Sequence, residues 1–335
     1  MRAVLIKDGK GPIENLYIGE TPKPVPGPGE VLVKIKAFGL NRMDLLQRVG
    51  NSPPPPGASD ILGVEFSGTV SELGSGVSKW NIDDEVLGLA PGGAYAEYVA
   101  VSEKTILKKP AALSWVEAAG IPENFLTAFQ AIVRYGEVQE GDNVLVHAGA
   151  SGVGIASIQL ARLRKANTVT ATASSTEKLD YLLALPGGAT HVANYKTQDF
   201  ATEVKKTTGG KGVNALVDFV GRTHWHQNID ALAFDGRMTI LAFLSGAEVD
   251  KVNIRPILQK RLRIQGSTLR PRPLGYQGEL VADFASEVLP YISGRDGPGP
   301  LKTIIHKVYP WTDIQSATRE IDENKNIGKI VAEIV

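Results

Sequence analysis

The sequence predicts a mixed α/β protein made of a β-rich part and a doubly wound parallel sheet. Two observations carry that expectation. From Met1 to about Pro122, short β-type runs are broken by proline and glycine, whereas beyond about Glu123 strand-like and helix-like runs alternate. Length agrees, because a chain of 335 residues is long enough for two buried cores.

In the first part the runs MRAVLIK, EVLVKIKAFGL, ILGVEFSGTVSELG, DEVLGL and GGAYAEYVAV read as strands separated by turn residues, which predicts an antiparallel, barrel-like β domain. The prolines of PKPVPGPGE and SPPPPGA stiffen loops and need no ligand to explain them. VSKWNIDDEVLG fits a turn feeding a strand. Its acidic neighbours Asp83 and Asp84 therefore read as solvated loop and not as a catalytic carboxylate pair.

In the second part the strand-like runs are DNVLVHAG, TVTATAS, HVANY, VNALVDFV and RMTILAF. Between them lie helix-like segments such as IASIQLARLRKA, TEKLDYLLAL and FATEVKKTT. Alternation of this kind predicts parallel strands joined by right-handed helical crossovers, with helices on both faces. LRIQGSTL would complete the sheet as a sixth strand, and GRMTILAFLSG is expected at its edge, where an apolar strand invites pairing in a two-fold homodimer. The tail beyond the loop GRDGPGP ends in IGKIVAEIV, a strand without a helix partner that is expected to fold back on the first part.

Composition narrows the function. Lys plus Arg equals Asp plus Glu at 36 each, so no net field draws nucleic acid or an anionic membrane, and the expected partners are small molecules. There is no cysteine, which removes disulfides, thiol nucleophiles and thiolate zinc ligands. MRAVLIK already reads as a strand, leaving no room for a signal peptide, and no apolar run is long enough to cross a bilayer. A cytoplasmic protein is expected.

The stretch VLVHAGASGVGIASIQLA is an apolar run, three glycines within six residues, and then helical spacing. In the dinucleotide-binding fingerprint the first glycine permits a tight turn, the second lets pyrophosphate approach the backbone, and the third lets helix and strand pack closely. The register here is Gly149, Ser151 and Gly154, with Gly152 in addition. Serine is small, so the N–H groups of Ser151, Gly152 and Val153 can still open the next helix toward an anion. NAD sites place an acid about twenty residues further on, to accept the ribose 2′-OH. Ser174 stands there, followed by Ser175 and Lys178, with Tyr195 closing the strand HVANY. Hydroxyls and an ammonium suit a 2′-phosphate, which predicts NADPH as the cofactor.

Taken together, NRMDLLQRVG, ILGVEFSGTVSELG, HAGASGVG and EKLDYLLAL resemble the medium-chain dehydrogenase/reductase superfamily, and within it the zinc-free quinone oxidoreductases of the zeta-crystallin and p53-inducible reductase group. The resemblance implies a GroES-like catalytic domain over residues 1–122 and 266–335 and a Rossmann domain over 123–265. Zinc-dependent relatives carry a cysteine early in the β domain, a G-H-E motif and a four-cysteine lobe. Here Asn41 stands near the first ligand, Gly63-Val64-Glu65 replaces G-H-E, and the lobe is missing. The histidines, His147, His224 and His226 among them, read as structural. The resemblance also implies that Asn41 and Asp44 line the nicotinamide end as catalytic residues, that Asn41 is a cofactor contact as well, and that Thr127 supports the cofactor. By the same match Ser151, Gly152 and Val153 would bind pyrophosphate, and Ser174, Lys178 and Tyr195 the 2′-phosphate. Ala242, Phe243 and Leu244 with Ser267, Thr268 and Leu269 would hold nicotinamide, and Asn324 would come from the tail. Residues of bland alternative use are Asn41, Asp44 and Thr127 as helix caps and Ala242 to Leu244 as sheet core. Related reductases carry tyrosines where this chain has Leu46 and Ser52, which removes a proton donor from that loop, while Arg48 and SPPPPGA are placed to shape a pocket mouth. The expected activity is hydride transfer from NADPH to a quinone, an ortho-quinone first. The alternatives are reduction of an enone or enoyl double bond, and cofactor binding with little turnover.

Overall fold

A computed structural model describes residues 1–293 and 299–334, so most of the loop GRDGPGP and the final residue lie outside the described residues. The chain divides into two compact units, Met1–Leu126 with Leu269–Val335, and Thr127–Thr268.

The first unit opens with the antiparallel pair β1 (Arg2–Ile6) and β2 (Leu16–Glu20). Then come β3 (Glu30–Gly39), helix α1 (Arg42–Arg48), β4 (Glu65–Leu73), β5 (Glu85–Leu89), β6 (Tyr98–Ser102) and β7 (Ile106–Lys108), followed by helices α2 (Trp115–Ala119) and α3 (Pro122–Phe129). Alternation along β3 sends Val31, Val33 and Ile35 into a core with Phe66, Val70, Val86 and Trp311, where Phe38 stacks on Tyr95 at 4.4 Å between ring centroids.

The second unit carries β8 (Asn143–Val146), α4 (Gly152–Leu163), β9 (Thr168–Ala173), α5 (Thr176–Ala184), β10 (His191–Asn194), α6 (Phe200–Thr207), β11 (Val213–Asp218), α7 (Trp225–Ala231), β12 (Leu232–Ile240), α8 (Arg255–Gln259) and β13 (Arg263–Gly266). All six strands run parallel in the order β10-β9-β8-β11-β12-β13, a doubly wound sheet with its switch point between β8 and β11. Each strand of β8 and β9 is buried along its length, as expected of a sheet covered on both faces. β12, which contains GRMTIL, is not an edge: β13 pairs along it, so the edges are β10 and β13.

The chain returns to the first unit through α9 (Leu274–Glu287), α10 (Leu289–Ser293), β14 (Ile305–Pro310), α11 (Ile314–Asp322) and β15 (Lys329–Glu333). β15 pairs antiparallel with β3, and β14 lies parallel to β15 with α11 as the crossover. The tail strand therefore has a helix partner after all, and the seven-stranded sheet of this unit is mixed, not wholly antiparallel. The reason is length: the eighteen residues from Trp311 to Gly328 separate two neighbouring strands, which suits a helical crossover and not a hairpin.

At the glycine turn the left-handed residue is Ala148, at φ 45°, and not Gly149. Gly149 serves close approach instead, since a Cβ there would lie 2.9 Å from the Cβ of Ala171. Gly154 packs α4 against the turn, where a Cβ would overlap the Ala148 carbonyl oxygen and come within 2.8 Å of that of Gly149. In an ordinary helix position Gly→Ala stabilises by up to about 1 kcal/mol. Gly154→Ala is expected to do the reverse, costing roughly 1–3 kcal/mol of overpacking, as a fall in the thermal midpoint; an unchanged or raised midpoint refutes the packing role.

Candidate active site

The second unit gathers the expected cofactor residues at one edge of its sheet. Ser151 to Val153 follow β8, Ser174 follows β9, Tyr195 follows β10, Ala242 to Leu244 follow β12, and Ser267 and Thr268 follow β13, all at carboxyl ends of parallel strands. Ligands of open α/β sheets bind outside those ends. Ser151 is the N-cap of α4, its Oγ accepting from the Gly154 N–H at 3.0 Å. Among the described residues no acceptor meets the amides of Gly152 and Val153, the donors that a helix start leaves over. Ser175 caps α5 by accepting from the Lys178 N–H at 3.4 Å, and Ser174 and Lys178 are half-buried beside it. Ala242 to Leu244 are not sheet core, because β12 stops at Ile240 and Phe243 and Leu244 are exposed. Thr127 lies inside α3, not at its cap, and Leu269 falls in the first unit.

Beneath this edge His147 is fully buried. Its Nε2 lies 2.7 Å from Asn228 Oδ1 on α7 and its Nδ1 2.9 Å from Thr172 Oγ1 on β9, so it braces three elements under the turn. The His224 ring packs 4.8 Å from it and 5.1 Å from Phe200, and Tyr195 lies 5.3 Å from His224. Burial lowers both imidazoles to about 4, keeping them neutral. His226 instead meets the Asp250 carbonyl at the surface.

In the first unit a second constellation forms at the end of β3. Asn41 is the N-cap of α1, and its side chain makes contacts outside that helix: its Nδ2 donates to Glu65 Oε1 at 2.9 Å, and its Oδ1 accepts from Lys329 Nζ at 2.6 Å. Asp44, at the third helical position, gives the reciprocal half of a capping box, accepting from the Asn41 N–H at 2.8 Å, and also accepts from the Gly63 N–H at 3.1 Å and the Tyr95 hydroxyl at 3.0 Å. Lys329 pairs with Glu65, both almost wholly buried, and also donates to Asn124 Oδ1 at 3.4 Å. The other carboxylate oxygen of Glu65 accepts from the Glu123 N–H in the first turn of α3 at 2.8 Å. Gly39 makes the space, because a Cβ there would overlap Glu65 Oε1 and lie 2.6 Å from Lys329 Cε. Burial pushes the Asp44 carboxyl up to about 6 against the three hydrogen bonds that pull it down.

Glu65, Lys329, Asn124 and Tyr95 were not among the residues expected at the site, although the replacement of G-H-E by Gly63-Val64-Glu65 marked the place. Asn324 sits in the turn after α11, where Arg42 donates to its Oδ1. Arg48 is not a solvated mouth residue; it is buried and donates to the Gly11 carbonyl. Leu46 is 47% exposed beside it.

Two family models match the chain: an alcohol dehydrogenase GroES-like domain over residues 27–111 and a zinc-binding dehydrogenase over residues 152–284. A solved structure described as an NAD-dependent alcohol dehydrogenase is 33% identical, with a TM-score of 0.84 and coverage of 100% of both chains. The chain belongs to the medium-chain dehydrogenase/reductase superfamily. Escherichia coli quinone oxidoreductase complexed with NADPH is 29% identical at a TM-score of 0.84, covering 99% of each chain. The synaptic vesicle membrane protein VAT-1 homolog of Rattus norvegicus is 29% identical over 98% of this chain and 83% of its own. Enoyl reductases are also similar, CurK at 28% identity and a TM-score of 0.83 over 100% of this chain and 99% of its own. Within this superfamily the chain is a quinone oxidoreductase-like member, with a GroES-like unit and a Rossmann unit. It lacks every thiolate of the zinc-dependent pattern, and among the described residues no group of three or more His, Asp or Glu is placed to hold a metal. No helix of the described residues is long and apolar enough to cross a membrane.

Asp44 in the first unit and the His147–His224 pair in the second are expected to respond to pH with opposite sign. Asp44 ordinarily titrates at 3.8 and in the fold at about 6, so its contribution to stability is complete below about pH 4 and is lost as pH rises through about 6. His147 and His224 ordinarily titrate at 6.5 and in the fold at about 4, so theirs is complete above about pH 6.5 and is lost as pH falls through about 4. Each effect is on the order of 3 kcal/mol. Amide exchange followed by pH is expected to show the first unit tightening and the second loosening on acidification. Asp44→Asn should flatten the first trend and His147→Gln the second; trends of the same sign in both units would contradict these burials.

Proposed function

We propose that this chain is an NADPH-dependent reductase of quinones that works without a bound metal. The carrying observation is the fate of the zinc-ligand places: Val64 stands where G-H-E has its histidine, and Asn41, near the cysteine place, is tied with the neighbouring Glu65 around the ammonium of Lys329, whose positive charge disfavours a divalent cation there. A quinone suits such a site, because it accepts hydride without a Lewis acid to polarise it. Positioning then does most of the work.

The residues present fit the cofactor. The Gly152 and Val153 amides at the start of α4 suit a pyrophosphate, and Ser174, Lys178 and Tyr195 suit a 2′-phosphate, with no carboxylate at the Ser174 place to repel it. Thr127, Ala242 to Leu244, Ser267 to Leu269 and Asn324 are kept as proposed contacts. When bound, NADPH supplies the hydride. Asn41 and Asp44 are the proposed catalytic pair, with Asp44 holding the start of α1 and Asn41 facing the acceptor. The open edge for a homodimer is β13, not β12.

NADPH is expected to bind at least tenfold more tightly than NADH, and Ser174→Asp to bring the two to parity or reverse them; equal affinities in the wild type refute the cofactor assignment. An absorbance assay of NADPH consumption is expected to show faster turnover of an ortho-quinone than of an α,β-unsaturated ketone. The opposite order favours double-bond reduction, and binding without turnover of any electrophile favours a cofactor-binding protein. Light scattering at micromolar concentration is expected to report a dimer, and a monomer removes the β13 interface.

A further inference from the structure

We infer that Asn41 is a fixed hydrogen-bond donor to the acceptor's oxygen, and that Glu65 and Lys329 are the positioning residues that hold it in that sense; this rests on the reductase reading above. A side-chain amide has a donating and an accepting end, and which is which follows from its neighbours. An ammonium only donates and a carboxylate only accepts. With Lys329 Nζ 2.6 Å from Oδ1 and Glu65 Oε1 2.9 Å from Nδ2, the opposite orientation would set N–H against ammonium and carbonyl against carboxylate. Asn41 therefore has one allowed orientation.

That orientation leaves one thing to offer. The carbonyl is taken, one N–H is given to Glu65, and the other faces the Gly39 carbonyl at 3.4 Å, the long limit of a hydrogen bond. The second N–H is the group that a ligand oxygen can take. Asn41 keeps 9% of its surface open, enough for an edge-on contact and too little for solvent to compete freely. The ammonium on Oδ1 draws electron density from the amide and strengthens its N–H as a donor. Capping alone does not account for this placement, because the side-chain contacts of Asn41 with Lys329 and Glu65 are made outside α1.

The chemistry needs such a donor. Hydride addition gives the acceptor two electrons and one proton, leaving negative charge on an oxygen until water delivers the second proton. A donor already in place stabilises that charge without reorganising. Leu46 and Ser52 stand where related reductases have tyrosines, so no phenol in that loop does the task.

Glu65→Gln combined with Lys329→Met removes both charges at once, so neither is left buried alone. The expected result is a loss of about 10- to 100-fold in kcat for a quinone, with the NADPH dissociation constant within about threefold of wild type and Lys329→Arg retaining most of the rate. Unchanged kcat in a folded double variant overturns the inference. A second measurement reads the wild type itself: labelled with ¹⁵N-asparagine, its Asn41 side-chain protons, assigned by their nuclear Overhauser contacts with Lys329 and Gly39, should exchange slowly. One of them should move downfield when a hydroquinone binds, and freely exchanging protons that ignore the hydroquinone overturn the inference. A wild type that turns over no electrophile while keeping a protected Asn41 amide refutes the reductase reading instead and leaves the locked orientation standing.

Discussion

The first unit depends on a single buried charge pair. Glu65 is brought in by β4 and Lys329 by β15, and each would be costly alone in a site closed to water. Their mutual attraction answers only part of that cost. The remainder is met by hydrogen bonds from the Asn41 amide and the Glu123 N–H to the carboxylate, and from the ammonium to Asn41 and Asn124. Gly39 is required at the centre because any side chain there would occupy the space of the pair. A buried pair of this kind adds little net stability over apolar residues of the same volume, but losing one partner costs about 3–5 kcal/mol. Its presence therefore points to what it orients.

The second unit obeys a different constraint, close approach of backbone. Gly149 and Gly154 let α4 and β9 meet the turn after β8 without a Cβ between them, and His147 ties the same turn to β9 and α7 from below. The amides at the start of α4 are then held in one place. The other expected cofactor contacts reach the same edge through nothing more than parallel strand direction, since β8, β9, β10, β12 and β13 all end there.

Much of this was legible in the sequence, for identifiable reasons. Switching periodicity separated the β-rich part from the parallel sheet, and the six strands of that sheet lie where apolar runs bounded by turn residues placed them. Ser151 at the head of α4 and Ser174 after β9 followed from spacing. What escaped was long-range. Nothing local in GVEFSG or IGKIV says that a glutamate and a lysine far apart in sequence will meet, and each is the first residue of its strand, a place where charge ordinarily faces water. Strand order is similarly invisible: GRMTIL reads as an edge until β13 is paired along it. The left-handed Ala148 had no sequence signal, because the adjoining Gly149 was the natural choice for that conformation.

The first unit is assembled from both ends of the chain, with the whole parallel sheet inserted between them. A ribosome therefore delivers Glu65 long before Lys329. Until the tail emerges, the nascent β-rich segment holds an anion with no counter-ion and a sheet whose β3 edge has no neighbour from the tail. Completion of the first unit must then wait for the strand that carries Lys329, whereas the inserted unit, contiguous in sequence, is free to fold before that strand is made.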